Sequence, residues 1–486
     1  MSPDQRTTNR SAENPAAPGS DDPALERYGY WQELNRSLGF FSSFALSFSV
    51  ICITSGLFAN YGDGLRAAGP AFIWTWLIVG AGQFLVAMVF AQLARQIPLS
   101  GYAYQWTKEL AGTRLAWRAG WLMIVQYIAG ITGTAYALAS YLGPFFGLAP
   151  SNGNIVAATV GTLVLAALIN HLGIRLASLV NDFSVISEIL GTVVMGFLLM
   201  GIALVRKVHP LSYLFSHPAQ HGGMGYLGAF VASSLMGVWT LGGFEAAANA
   251  AEETHLPKQR IPTTILLSEV IAVLLGTAAL IGFTLAIPSL DTASHDPTPL
   301  LYIIGSYFPR YVVVAAFCLV SLAVFAGLMA GLTTLTRIVW SMARDGELPA
   351  SRWLARVSVH RVPANAIWSV IPIAALFTIW AQVEIVIVAS SAFCMYAAYG
   401  VIVAAVLWGK KRGIAQPDES KPNGVFRPLC VSALVWTSGI MVLLVFMTAI
   451  AMSHVALQET AIGIVLLGLA AACYYWLRLR KRIADF

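Results

Sequence analysis

An all-α, polytopic membrane fold is what this sequence predicts, and three observations predict it. Of 486 residues, 57% are hydrophobic and only 11% charged, against roughly 25% charged in soluble proteins. Apolar runs near the ~20 residues that cross a bilayer as a helix recur about twelve times along the chain. Lys and Arg collect in alternate connecting segments, so that of the 29 only Arg66, Arg206, Lys207 and Arg310 fall on the opposite side. Basic residues stay cytoplasmic, which predicts that both termini are cytoplasmic. The same distribution assigns the net charge of +6 to topology and not to nucleic acid.

Taken in order, residues 1–38 are polar, with Pro15, Pro18 and Pro23 and no apolar h-region. They read as a disordered cytoplasmic tail, not a signal peptide. Within it, Ala24 to Leu38 mixes aromatic and charged residues and reads as a short helix at the membrane surface. The spans fall at about 40–61, 70–94, 117–143, 153–171, 179–205, 227–250, 263–288, 312–340, 366–382, 384–408, 429–452 and 458–477. Between spans two and three, PLSGYAYQWTKELAG is amphipathic and too polar to cross, which predicts a short helix along the inner face. Residues 289–310, with Asp291, Asp296, Pro297 and Pro299, read as an extracellular loop with a partial helix. The segment RDGELPASRWLARVSVHRVPAN joins spans eight and nine as a solvated, topology-fixing stretch. Cys52, Cys318, Cys394, Cys430 and Cys473 lie in or at the ends of spans without paired spacing, which predicts neither a disulfide framework nor a metal cluster. No nucleotide loop or nucleophile elbow is visible, so neither a cofactor nor enzymatic activity is expected.

Span six departs from a plain membrane helix. WTLGGFEAAANAAEET, Trp239 to Thr254, sets Gly242 and Gly243 in mid-span and follows them with Phe244 and Glu245. Each glycine costs about 1 kcal/mol of helix, and a carboxylate at membrane depth at least about 2.5 kcal/mol. An interrupted helix frees backbone groups, which lipid forbids unless the gap faces a cavity or ligand. Span one carries a related interruption: ITSGLF lays Gly56 over Gly243 of TLGGFE. Five spans separate the two starts, so the second copy enters from the opposite side. That is the inverted-repeat arrangement of secondary transporters, in which paired glycine-interrupted spans point to a midplane site.

At these residues the chain resembles the amino acid–polyamine–organocation superfamily of permeases, and within it the amino acid/choline branch that includes 4-aminobutyrate and choline permeases. The matching pieces are TSGLF in span one, RQIPLSGYAYQW after span two, W-x-x-x-G-F-E in span six, AEETHLPKQRIP directly after it, and SMARDGELP after span eight. The resemblance implies a LeuT-type fold with residues 39–206 as the first five-helix repeat and 207–408 as the second, inverted one. Spans eleven and twelve, within 409–486, then lie outside the core. It also implies uptake by alternating access.

In the matching segments the family holds the substrate's carboxylate and amine. This makes Thr54, Ser55 and Gly56, with Trp239, Gly242, Gly243, Phe244 and Glu245, the expected substrate-binding residues. A break near Thr54 exposes N–H groups that suit an anion; the plainer alternative is that Ser55 and Gly56 let two helices pack closely. Trp239 sits where the family motif places an aromatic cap, able to cover an ammonium by cation–π attraction, or is an ordinary core or lipid-facing tryptophan. Glu245 pairs with a substrate cation, holds a proton that locks the outer gate, or makes a silent structural hydrogen bond. Glu188 in span five departs from the lysine that related proton-coupled members often carry there. That leaves proton carriage by Glu188, a cation site formed with span one and Thr333 or Thr334, or no coupling ion. Gln126 and Tyr127 line the cavity or merely pack. Glu269 and Glu384 read as interfacial or locally paired acids, and Glu252 and Glu253, beside Lys258 and Arg260, as an interfacial cluster or a gating network.

These readings predict a secondary active permease of the cytoplasmic (inner) membrane importing an amino acid or amine, with a proton (or sodium) as coupling ion. A zwitterion such as 4-aminobutyrate satisfies both a neutral break and an embedded acid. A cationic amine (choline, polyamine or guanidinium-type) is the alternative. A channel would need a continuous polar pore, and a transport-like sensor a sizeable output domain.

Overall fold

The computed structural model describes residues 23–146, 151–217, 225–380, 384–408 and 423–451. Among them every regular element is a helix, apart from one parallel bridge between Leu38 and Thr254. Eight described runs are long and apolar enough to cross a membrane, and the first, Phe40–Gln96, carries spans one and two together. Span nine is a shorter apolar helix, Ala364–Ile379. Span six is divided into Gly225–Ser233, Leu235–Thr240 and Ala246–Asn249. These account for the first eleven expected spans; the twelfth lies outside the described residues. The chain is a multi-pass, all-helical membrane protein.

Span one is two helices, Phe40–Ile51 and Ile53–Ala68, and a 3-10 turn, Gly69–Ile73, leads into span two, Trp74–Gln96. Spans eight (Arg310–Arg344) and ten (Glu384–Trp408) both pack on span three (Thr113–Phe145), while span seven (Pro257–Leu285) lies on spans two and five. Span five runs from Ile174 to Glu188, passes through a π-helical turn at Ile189–Val194 and continues to Arg206. Such a turn re-aims the side chains beside it and is frequent at functional sites. Leu165, Leu168, Phe183, Leu190 and Phe197 are exposed on spans four and five, the apolar surface that a bilayer covers.

Three expectations change. The loop helix after span two forms, as Tyr102–Ala111, but it is mostly buried between spans three and ten instead of lying on a surface. Tyr102 and Trp106 bring apolar rings against Phe90, at 5.9 and 5.5 Å between centroids, and that burial outweighs the polar residues around them. The stretch 24–38 is helical only at Pro23–Glu26. Its end is extended: Ser37 and Leu38 donate their N–H groups to Glu253 O at 2.9 and 2.8 Å, and His255 N–H returns to Leu38 O. Glu269 is fully buried, with neither carboxyl oxygen partnered. Its helix begins at Pro257, six residues before the expected start of span seven, which puts Glu269 about 18 Å along the axis.

Candidate functional site

The site is built on the two interruptions. In span one, Cys52 takes a left-handed conformation at φ 45° and ψ 74°, which ends one helix and starts the next. The new N-terminus favours an acceptor, and the protein supplies its own: Thr54 N–H donates to Glu188 Oε1 at 3.0 Å, and the Thr54 and Thr192 hydroxyls meet at 2.7 Å. Thr54 is thereby committed to span five and does not line the cavity described below.

In span six the chain leaves the helix between Leu241 and Glu245, with Gly243 at φ +97°, a conformation that only glycine adopts freely. Several of the backbone groups this frees are met by side chains, as burial favours. Gln83 Nε2 donates to Leu241 O at 2.7 Å, and the Tyr396 hydroxyl to Val238 O. Gly243 N–H donates to the Tyr399 hydroxyl. Ser47, on the first half of span one, donates to Phe244 O at 2.8 Å and accepts from Ala247 N–H at 2.9 Å.

The interruptions touch. A Cβ on Gly56 would collide with Thr240 Oγ1, and one on Gly243 with Val50. Gly56 therefore acts by close packing, the plainer of its two sequence readings. Beside this contact lies a cavity walled by Cys52, Ser55, Tyr127, Trp239, Gly242 and Gly243, with Gln126 and Ser391 among its polar groups. No charged side chain is among the residues that line it. A second cavity, reaching Thr298 and Leu301, shares Ser55, Thr134 and Trp239 with the first, so Trp239 stands between the two.

Of the expected substrate residues, Ser55, Trp239, Gly242 and Gly243 face the cavity. Phe244 turns away into an aromatic cluster with Phe90 and Tyr399, at 5.9 and 5.7 Å. Glu245 is fully buried behind Tyr127 and accepts hydroxyl hydrogens from Tyr399 at 2.6 Å, Tyr102 at 3.1 Å and Tyr127 at 3.2 Å. Thr333 bonds Asn170 Oδ1 at 2.5 Å and Met329 O, and Thr334 bonds Ala330 O; no hydrogen bond joins either to Glu188. Tyr102, Tyr399, Gln83, Ser47 and Cys52 were not singled out from the sequence. Tyr396 and Tyr399, three apart in an apolar span and hence on one helix face, were the available signal for that side.

At the far end of span six the acids find different partners from those expected. Arg337 forks onto Glu253 with two bonds of 2.9 Å, and Arg344 onto Glu252 at 2.9 and 3.1 Å. Ser100 and Glu252 exchange backbone and side-chain bonds, and Lys108 meets Asp345 at 2.6 Å. The Glu253–Arg337 pair is buried, so this is not a solvated interfacial cluster.

The family profile described as amino acid permease matches residues 38–472, a stretch that contains both interruptions and the cavity between them. Among curated proteins, the amino-acid permease BAT1 of Arabidopsis thaliana is 29% identical over 71% of this chain and 72% of its own length. The amino-acid permease 2 of Neurospora crassa is 28% identical over 72% of the chain and 67% of its own. The branched-chain amino acid permease BcaP of Bacillus subtilis is 27% identical over 69% and 73%. With two broken spans meeting at an uncharged cavity, and a match over most of its length, the chain belongs to the amino acid permease family and is a transporter, not an enzyme.

Proposed function

We propose that this chain is a secondary active permease of the cytoplasmic membrane that imports a neutral, zwitterionic amino acid by alternating access, coupled to protons. The observation that carries this reading is the uncharged cavity at the contact between the two broken spans, with Trp239 at its rim. A solute with balanced charges suits such walls: the half-helix N-terminus at Ser55 favours a carboxylate, and the Trp239 ring an ammonium. Residues 39–206 and 207–408 form the two inverted repeats, with 1–38 and 409–486 outside them. Both termini are cytoplasmic, and the buried Glu252–Arg344 and Glu253–Arg337 pairs close the cytoplasmic end. Because Glu245 stands behind Tyr127, a purely cationic amine meets no carboxylate in the cavity wall, and the cationic reading ranks second. 4-Aminobutyrate is the first solute to test, and the branched-chain amino acids named for the Bacillus subtilis relative come next.

Uptake of radiolabelled 4-aminobutyrate, leucine and choline into proteoliposomes, under separately imposed proton and sodium gradients, tests this. A proton-driven, saturable accumulation of a carboxyl-bearing solute is expected. Transport of choline alone would overturn the zwitterion assignment, and a sodium requirement the proton coupling. Glu188→Gln should shift the ion dependence if the acid at the half-helix N-terminus takes part in coupling; an unchanged dependence removes it from that role.

A further inference from the structure

Glu269 is absent from the transport scheme above, yet its setting is the least comfortable for an acid among those described. It is fully buried in span seven, and both carboxyl oxygens lack a partner. Span seven runs antiparallel to span two: Gly80 faces Val273, and Trp76 lies against Gly276 and donates to Val273 O. That register brings Gln83 to the level of Glu269. Gln83 is itself fully buried; its amide nitrogen holds Leu241 O at the span-six interruption, and its Oε1 has no partner. A neutral carboxylic acid carries the one hydrogen that such an unpartnered acceptor lacks.

The charged group that faces Glu269 is Glu245 of span six, and Tyr396 of span ten is the other titratable neighbour. Among the described residues, Glu245 is the one charged group found to act on the Glu269 carboxyl. The two acids differ sharply in support. Glu245 receives three phenolic hydrogens; Glu269 receives none. Two buried carboxylates so placed repel each other, and an unpartnered one bears its whole desolvation cost.

We propose that Glu269 holds and releases the transported proton in exchange with Glu245, and that Gln83 relays its protonation to the span-six interruption. In the exchange the O–H bond of Glu269 breaks as one forms on Glu245, and no other bond changes. Loss of the proton leaves Glu269 facing an acceptor, which favours turning the Gln83 amide and releasing Leu241 O. The inference rests on the proton-coupled reading above and adds its carrier.

The test has a substrate-free arm and a transport arm. First, pH-difference infrared spectra are recorded on wild type, Glu269→Gln and Glu269→Asp in lipid vesicles without amino acid. A protonated-carboxyl band lost in Glu269→Gln and kept in Glu269→Asp is expected; a band unchanged by Glu269→Gln overturns the proposal. Second, the same vesicles are assayed for gradient-driven accumulation and for equal-concentration exchange of 4-aminobutyrate and leucine. Glu269→Gln should lose accumulation by about tenfold or more while exchange stays within about twofold, since only a step that carries the proton is removed. Accumulation at the wild-type level, or equal loss of both activities with recovery in neither variant, overturns it. A wild type that accumulates nothing under a proton gradient removes the coupling reading instead, and the infrared band alone then decides whether Glu269 holds a proton.

Discussion

The interruptions in spans one and six solve the same problem in opposite ways. Span one turns on a single left-handed residue, Cys52, and the helix that restarts there is met by a carboxylate from the protein itself, Glu188 on Thr54 N–H. Span six opens over several residues around Gly243, and neutral groups meet its freed backbone: Gln83, Tyr396, Tyr399 and Ser47. The short gap is met by one carboxyl group; the longer gap, with several freed dipoles, is met by several amide and hydroxyl partners. The difference bears on binding. Glu188 already occupies the Thr54 donor, and it is Ser55, Gly242 and Gly243 that face the cavity, which is where the proposed function puts the substrate carboxylate.

Span six is anchored by charge at its end, not at its gap, and the largest effect is expected there. Arg337→Met leaves Glu253 buried without its forked partner, which costs about 3–5 kcal/mol. Melting of the purified protein in detergent should fall further than for any other variant named here. Adding Glu253→Gln should restore most of the loss. A double variant as unstable as the single one would show that Arg337 serves packing more than charge.

Next comes the contact between the gaps. Gly56→Ala drives a Cβ into Thr240, and overpacking of this kind costs about 1–3 kcal/mol. Transport should be lost along with thermal stability. Thr240→Gly in the same chain should recover both in part, because it removes the atoms in conflict. Failure of the second change to help would mean that Gly56 is needed by the solute or by backbone freedom and not by the neighbouring span.

A smaller effect separates the two solutions directly. Glu188→Gln keeps an oxygen for Thr54 N–H but removes the ionisable carboxyl, and a charged acceptor adds at most about 1 kcal/mol over a neutral one. A modest loss of melting temperature is expected, with the span-one turn retained. A large loss would mean that the ion, and not the hydrogen bond, holds the restart in place.

The span-six interruption was legible in the sequence because Gly243, with an acid two residues on, breaks a rule that apolar spans obey. The span-one interruption, expected near Thr54 to Gly56, lies at Cys52, and Gly56 sits inside the helix that follows. The partners were not legible. Tyr102, Gln83, Ser47 and Tyr399 are ordinary residues for helices in or beside a membrane, and what each one meets is fixed by an element 143, 158, 197 or 154 residues away. Glu188 was visible as a buried acid, but its direction depends on helix rotation beside the π-helical turn. It meets Thr54 of span one, while Thr333 and Thr334 bond within their own helix and to Asn170. Glu269 was misplaced for a simpler reason, since counting depth from an apolar boundary ignored the turns that span seven adds at Pro257.

The smallest expected effect belongs to Cys52. A non-glycine residue in the left-handed region is disfavoured by about 1–2 kcal/mol, while glycine gives back about 0.5–1 kcal/mol through the freedom of the unfolded chain. Cys52→Gly should thus change stability by less than about 1 kcal/mol, in the stabilising direction, after allowing for the weak thiol contact to Ala323 O at 3.7 Å. The reciprocal change, Gly243→Ala, has the opposite sign for two reasons: its φ of +97° suits only glycine, and its Cβ meets Val50. Thermal melting of the two variants side by side gives the comparison its finest resolution. If Cys52→Gly destabilises as much as Gly243→Ala, the span-one turn is held by its side chain after all, and the two interruptions are closer in kind than their hydrogen bonds indicate.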